Sequence, residues 1–144
     1  MILWYCSRKN NQTFMYLIIP IKPFPAVRSN RNSWNSKTQD YHSKMNELRR
    51  YLLPHREEIM QNMIEGTYHI QFHSKMPISW SKKKQLEMNW KPNMNTPDID
   101  NLFKAFADTL FYDPLKKSKD DCKVWKLSAD KWWGNEDKII FIWD

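Results

Sequence analysis

Glycine, cysteine and long apolar runs are all scarce in this chain of 144 residues. Only two glycines occur beside eight prolines, so proline rather than glycine sets most of the turns. Cys6 and Cys122 stand far apart, which argues against a disulfide framework or a zinc site and predicts reduced thiols in a cytoplasmic protein. No run approaches the roughly 20 apolar residues of a membrane span, so we expect no membrane partner.

Positive charge and aromatic side chains, in contrast, are abundant. The formal net charge is +7 and the sequence pI is about 9.4, which favours a polyanionic partner, most commonly nucleic acid. Aromatic residues make up 15% of the chain, so it is not a disordered tail. The length fits one domain, and we interpret residues 1–13 as a leader and residues 14–144 as that domain.

Apolar residues at helical spacing occur in two parts of the chain. The first part follows Ser36, a candidate N-cap, where apolar residues from Tyr41 to Leu52 recur at intervals of four, three and four. Pro54 then either kinks this helix or starts a second one, which Gly66 ends. The two predicted helix faces consist of Tyr41, Met45, Leu48 and Leu52, and of Ile99, Leu102, Phe103, Phe106 and Leu110.

Strand patterns occupy four other segments. Residues 67–73 alternate apolar and polar side chains, which predicts a half-buried strand with His69 and His73 on its solvated side. Residues 138–143 are apolar enough to form a central strand. The predicted strands are residues 14–19, 67–73, 123–131 and 138–143. Their order among the helices predicts an α+β fold with a mixed four-stranded sheet flanked by helices.

Residues 74–97, which we call the Trp/Lys segment, show no clear period and interleave Trp80 and Trp90 with lysines. Basic residues beside tryptophan are suited to holding phosphate and stacking on unpaired bases, whereas a charged run is more often a solvated loop. Both interpretations stay open. Across the chain, the candidate DNA-binding residues are Lys22, Arg28, Arg31, Lys82, Lys83, Lys84, Lys116, Lys117, Lys119 and Lys131.

Several of the sixteen acidic residues cluster in two short stretches, of which the first is TPDIDNLFKAFADTL. Asp98 and Asp100 lie two apart at the entrance of a predicted helix, and an extended backbone there would aim both carboxylates at one point. Such oxygen ligands suit Mg²⁺. Lys104, one helical turn further on, could neutralise charge on a phosphate. There are two ordinary alternatives: the aspartates interact favourably with the helix dipole, or Asp100 and Lys104 form an i,i+4 ion pair worth about 0.3–0.5 kcal/mol.

The second acidic stretch is Asp120 and Asp121, at the start of the next predicted strand. Two acidic clusters on neighbouring elements would repel each other unless a cation lies between them. The alternative is an exposed acidic turn.

Together, the two stretches resemble the RusA family of Holliday-junction resolvases. The pattern is D-I-D-N-L-x-K-A-x-x-D-x-L, then D-D-x-x-V, then a later lysine. In this chain it comprises Asp98, Asp100, Asn101, Leu102, Lys104, Ala105, Asp108, Leu110, Asp120, Asp121, Val124 and Lys131. The proline-rich strand exit FMYLIIPIKPFP is similar to the opening of the family, so the resemblance covers residues 14–144. The leader and the long, tryptophan-rich Trp/Lys segment depart from it.

The resemblance implies a small homodimeric endodeoxyribonuclease that binds four-way DNA junctions and cuts two strands symmetrically, in recombination and repair. It implies Mg²⁺ as the cofactor, with Mn²⁺ as a substitute. Asp98, Asp100 and Asp121 match the metal-binding aspartates, Asp120 is a further candidate ligand, and Lys104 matches the essential lysine. Two alternatives remain: a related metal nuclease that acts on flaps or other branched DNA, and a DNA-binding protein of the same fold that does not cut.

Overall fold

The computed structural model describes residues 7–9, 12–28, 36–113, 115 and 120–144, with the backbone alone for residues 7–9, 12, 120 and 121. The chain divides into two compact units, each assembled from separated stretches of sequence. The first unit comprises Met1–Pro23, Thr67–Ile99 and Ser128–Asp144. The second unit comprises Phe24–Gly66 and Asp100–Leu127.

Strands of the first unit form a mixed sheet in the order β1-β2-β5-β3-β4. Their bounds are Ser7–Lys9 for β1, Gln12–Ile19 for β2, Tyr68–Lys75 for β3, Ala129–Gly134 for β4 and Lys138–Trp143 for β5. β3 and β4 are parallel, and the other neighbouring strands are antiparallel. The predicted mixed sheet of four strands is therefore confirmed as β2-β5-β3-β4, with the short strand β1 added in a hairpin with β2. The apolar strand β5 is central, as expected.

One face of this sheet is apolar because the register aligns side chains of three adjacent strands. Two rows of three residues cross β2, β5 and β3, and all six side chains are buried. The rows are Leu17-Phe141-Ile70 and Ile19-Ile139-Phe72. Since alternate residues of a strand point to the same face, both rows belong to one apolar layer.

β3 departs from its predicted pattern at His73. The prediction of a solvated His73 is wrong, because this residue is only 1% exposed. The ring of Trp90, from the Trp/Lys segment, lies edge-to-face against the imidazole with 5.2 Å between ring centroids. His69, the other histidine predicted to be solvated, is partly buried.

β4 lies further along the chain than the apolar pattern predicts. It begins at Ala129 rather than residue 123, and it continues through Trp133 and Gly134 rather than ending at residue 131. The physical reason is pairing: residues 129–134 have a parallel partner in β3 along their whole length. On its other side, β4 pairs with the Trp/Lys segment at Pro92 and Trp132.

The Trp/Lys segment contains a short helix, α3, over Lys82–Met88. It begins after Ser81, whose side-chain oxygen accepts a hydrogen bond from the backbone N–H of Lys84 and so caps the helix. α3 buries none of its residues, so no apolar period marked it in the sequence. Its three lysines are exposed.

The remaining helices are α1 over Ser36–Leu52, α2 over Arg56–Glu65 and α4 over Ile99–Phe111. Pro54 lies in a 3-10 turn, Leu53–His55, so α2 is a separate helix, and Gly66 ends it in a left-handed conformation with φ of 79°. The four predicted core residues of α1 are all buried, as are Leu102, Phe106 and Leu110 of α4. Within the described part of the chain, no helix is long and apolar enough to cross a membrane.

Candidate functional site

Asp98 and Asp100 lie at the beginning of α4. Asp98 directly precedes the helix, whereas Asp100 lies in its first turn. The expected extended backbone through both residues is wrong, because the helix begins at Ile99. Both side chains are exposed, and neither carboxylate has a hydrogen-bond partner among the described residues. Their oxygens are therefore available to a ligand from solvent.

Lys131 of β4 holds the backbone that leads to Asp98. Its Nζ donates to the carbonyl oxygens of Asn95, at 2.6 Å, and of Pro97, at 2.7 Å. The buried Asn93 adds a third and a fourth bond: its backbone N–H donates to the Lys131 carbonyl, and its Oδ1 accepts from the Asn95 N–H, both at 3.0 Å. Four hydrogen bonds thus order the approach to Asp98; Lys131 donates two of them and accepts a third.

Lys104 forms its ion pair with Asp108 rather than with Asp100. The Lys104 Nζ lies 3.1 Å and 3.3 Å from the two carboxylate oxygens of Asp108. The lysine side chain is 55% exposed, so this pair contributes little to stability and leaves the ammonium accessible.

Burial, and to a smaller extent the charge of Asp108, raises the pKa of Tyr41 on α1 to about 12, so its phenol stays protonated at neutral pH.

Asp120 and Asp121 lie in a 3-10 turn, Asp120–Lys123. The prediction that they begin a strand is wrong, because β4 begins at Ala129. Their side chains lie outside the described residues, so their convergence with Asp98 stays a prediction. Among the side chains that the structure does describe, no group of three or more histidine, cysteine, aspartate or glutamate residues is arranged to hold a metal ion.

The candidate DNA-binding residues fall into three groups. Lys22, Arg28 and the three lysines of α3 are exposed. Lys131 directs two donors to backbone carbonyls of its own chain. Four others lie outside the described residues: Arg31, Lys116, Lys117 and Lys119.

A polar network across β3 and β4 was not expected from the sequence. His69 Nδ1 lies 2.8 Å from Ser128 Oγ, and its Nε2 lies 2.8 Å from Asp130 Oδ2. The indole N–H of Trp132 donates to the other oxygen of Asp130 at 2.6 Å. The two bonds of His69 connect β3 to residues 128 and 130, whereas the Trp132 bond lies within β4 and holds the Asp130 carboxylate. Only the pairing of β3 with β4 reveals the bonds of His69, since their partners are about 60 residues apart in sequence.

A second group that sequence reasoning missed surrounds His73. Burial, followed by the charge of Lys138, lowers the pKa of His73 to about 4, so the imidazole is neutral at physiological pH. Its Nε2 lies 3.1 Å from Gln71 Oε1, while Nδ1 has no hydrogen-bond partner among the described residues. The exposed Trp90 lies against it. Nothing in the local pattern distinguishes His73 from a solvated strand residue.

A comparison with protein families identifies a match that covers most of the chain. The family model described as Endodeoxyribonuclease RusA matches residues 20–142. No curated protein and no solved structure matches the chain. The matched range includes both acidic stretches, the lysine of α4 and the Trp/Lys segment.

Proposed function

Because this chain belongs to the RusA family of endodeoxyribonucleases, which act on branched DNA junctions, we propose that it resolves four-way junctions by metal-dependent hydrolysis. The expected products are paired, symmetrical nicks. One observation carries this proposal: the family match spans residues 20–142, and the D-I-D-N…K…D-D pattern of the sequence lies within that range.

The donor set fits a hard divalent cation. Mg²⁺ prefers oxygen ligands and commonly takes one or two carboxylates together with water and substrate phosphate. Asp98 and Asp100 supply two exposed carboxylates without a hydrogen-bond partner among the described residues. We propose that these two residues and Asp121 hold Mg²⁺ or Mn²⁺, with Asp120 as a further ligand. When bound, such an ion activates water and stabilises negative charge on the phosphate.

Lys104 is the second part of the proposed chemistry. Its ammonium is more than half exposed and is held on one side by Asp108. A phosphodiester gains negative charge as it is attacked, and a nearby ammonium stabilises that charge more strongly in the transition state than in the ground state. We therefore propose that Lys104 increases the rate of cutting rather than the affinity for DNA, and that Asp108 orients Lys104.

The basic surface supplies binding without sequence recognition. Lys22, Arg28 and the lysines of α3 are exposed and suited to contact DNA phosphates. Such contacts release counterions, so junction binding should weaken steeply as salt is raised. A four-way junction cut symmetrically needs two opposed sites, and a homodimer supplies them.

The decisive experiment compares substrates with the purified full-length chain. A four-way junction, a flap and a linear duplex, each labelled on every strand in turn, are incubated with Mg²⁺, with Mn²⁺ and with EDTA. Paired nicks at equivalent positions of opposed junction strands, dependent on the metal, are the expected result. Single cuts restricted to flaps would replace this proposal with a flap nuclease. Tight binding of all branched substrates without any cut would identify a non-cutting DNA-binding protein.

A further inference from the structure

The Trp/Lys segment is attached to the sheet as an additional edge element beyond β4. The backbone N–H of Trp90 donates to the Trp133 carbonyl, and the N–H of Trp133 donates to the Lys91 carbonyl, both at 3.0 Å. Pro92 forms a bridge with Trp132 directly after them. The backbone that carries Trp90 is therefore held on both sides of that residue by a regular pattern of hydrogen bonds.

Trp90 itself combines two unfavourable features. Among the described non-glycine residues, it is the one with a positive φ, at 62°, a conformation that typically costs a non-glycine residue on the order of 1–3 kcal/mol. Its large apolar side chain is also 58% exposed. Packing alone does not explain this arrangement, because a tryptophan that serves the core gains its stability from burial. Strain of this kind at an exposed side chain is a frequent mark of a binding residue.

Contacts on the protein side restrict the orientation of the indole. The ring of His73 lies 5.2 Å from it at an interplanar angle of 79°, and the Nζ of Lys138 lies 5.7 Å from its centroid. The imidazole is 1% exposed and cannot move without disturbing the sheet. Restricting an aromatic ring before a ligand arrives reduces the entropy lost on binding.

The charge around Trp90 indicates what would stack on it. The Trp/Lys segment contains five lysines and a single acidic residue, Glu87. Lys91 adjoins Trp90 in sequence and is exposed. Lys84 Nζ lies 4.3 Å above the ring of Trp80, which in turn packs edge-to-face against Trp133. An apolar protein partner would leave this excess of ammonium groups without counter-charges. A nucleic acid strand, in contrast, binds both features: its phosphates pair with cations and its bases stack on aromatic faces.

We infer that Trp90 is a stacking platform for an unpaired DNA base, and that Lys91 and Lys84 hold the phosphates of the same strand. In base-paired DNA each base is already stacked on its neighbours, so this site selects DNA that has unpaired bases, as occurs where a branch opens. The inference rests on the proposed function for the identity of the polymer as DNA. It adds a substrate preference that the family assignment does not contain.

The test compares two apolar substitutions of Trp90, one that keeps an aromatic ring and one that removes it. Trp90→Phe keeps an aromatic ring, whereas Trp90→Leu keeps only apolar volume, and both carry the same backbone strain as the wild type. Met94→Ala, at an 89% exposed apolar residue of the same segment, is the matched control. Binding of a labelled oligothymidylate and of a duplex of equal length is measured by fluorescence anisotropy in EDTA.

Trp90→Leu should lose about ten-fold in oligothymidylate affinity, within the range known for removal of one stacking residue. Trp90→Phe should stay within about three-fold of wild type, and Met94→Ala should be unchanged. Duplex affinity should be unchanged in all three variants. Wild-type affinity in Trp90→Leu, or an equal loss for oligothymidylate and duplex, would overturn the inference.

A measurement on the unmodified chain covers the case in which Trp90→Leu fails to fold. Photocrosslinking to an oligonucleotide that contains 5-iodouracil joins the base to aromatic side chains in contact with it. The expected product is a crosslinked peptide that contains Trp90; crosslinks confined to other peptides would refute the platform. Junction cutting by the same preparation is assayed separately with Mg²⁺. If the unmodified chain binds DNA but cuts no junction, the proposed function is wrong, and the crosslinking result still tests the role of Trp90.

Discussion

Lys131 and Pro97 are joined by a 2.7 Å hydrogen bond from the lysine Nζ to the proline carbonyl oxygen. Pro97 directly precedes Asp98, so this bond connects a strand of the sheet to the backbone of a proposed metal ligand. Lys131 donates a second bond to Asn95, two residues earlier, at 2.6 Å. An ammonium has three donors, and two of them are directed to this loop. We therefore expect Lys131 to act through Asp98 rather than through a DNA phosphate.

Replacement of Lys131 by methionine keeps the length of the side chain and removes both bonds. Hydrogen bonds from a charged donor contribute about 1.5–3 kcal/mol each, so residues 93–97 should shift once they are lost. The expected result is a fall of about ten-fold or more in the single-turnover cutting rate at saturating junction, with affinity in EDTA within about three-fold of wild type. Lys22→Met, at an exposed lysine proposed to contact a phosphate, is the contrasting variant: it should lose affinity and keep its cutting rate at saturation. An affinity loss with a normal rate at saturation would return Lys131 to the role of a phosphate contact.

Asp98→Asn and Asp121→Asn should each abolish junction cutting while junction binding persists. Each change removes one negative oxygen donor from the proposed metal site, and the loss of negative charge does not weaken attraction to a polyanion. We expect the cutting rate in Mg²⁺ to fall by on the order of 100-fold or more. Gel-shift assays in EDTA measure binding, and strand-specific gels measure cutting. Near wild-type cleavage by either variant would show that the site is assigned wrongly.

Lys104→Ala should reduce the rate far more than the affinity. The ammonium is proposed to stabilise charge that develops only in the transition state, so its removal leaves the binding of intact DNA nearly unchanged. Single-turnover rates and binding constants measured on the same junction separate the two effects. Asp108→Asn is the matched variant: it releases the 3.1 Å pair but keeps the ammonium, and a smaller rate loss is expected. Equal losses of rate and affinity in Lys104→Ala would make this lysine a phosphate clamp.

The two glycines of the chain should respond differently to alanine. A Cβ at Gly66, where φ is +79°, would lie 2.8 Å from Cζ2 of Trp125. Gly66→Ala should therefore lower the free energy of unfolding by about 1–3 kcal/mol. At Gly134 the nearest atom would be the Glu136 carbonyl oxygen at 3.6 Å, an ordinary contact, so Gly134→Ala should stay within about 0.5 kcal/mol of wild type. Urea denaturation measures both, and equal effects would contradict the close approach of Trp125 to α2.

His73 should make stability depend on pH between its ordinary pKa of 6.5 and its lowered pKa of about 4. In this window the unfolded chain binds a proton that the folded chain excludes, so stability falls as pH decreases from 6.5 to 4. The groups that influence it are Lys138, Asp130 and Glu136. The contribution across the window is on the order of 3 kcal/mol. Thermal melts of wild type and His73→Phe should diverge below pH 6.5, and parallel pH profiles would rule out this titration.

Local periodicity accounts for the parts of the fold that the sequence predicts well. α1 and α4 bury residues at regular intervals, so their apolar faces were visible in the order of residue types alone. α3 buries nothing and was missed for that reason. β4 was placed about six residues too early because its bounds follow from pairing with β3 and with the Trp/Lys segment, which are distant in sequence.

The candidate site likewise has features that the sequence predicts and features that it does not. The aspartate motif and Lys104 could be found from the sequence, because the family pattern is a matter of residue types at set spacings. The ion-pair partner of Lys104 could not be found from the sequence. Helical spacing places both Asp100 and Asp108 within reach of the lysine, and only the side-chain conformation selects Asp108. The burial of His73 was likewise hidden, because a strand pattern does not show which segment will cover its polar face.

By itself, the sequence determined the family, the α+β class, the buried faces of α1 and α4, and the acidic residues that carry the proposed chemistry. All of these depend on which residue types follow one another at short range. The tertiary structure alone decided the parallel pairing of β3 with β4, the attachment of residues 93–97 to Lys131, and the exposed, strained position of Trp90. These depend on hydrogen bonds and contacts between residues tens of positions apart, whose pairing no local pattern specifies.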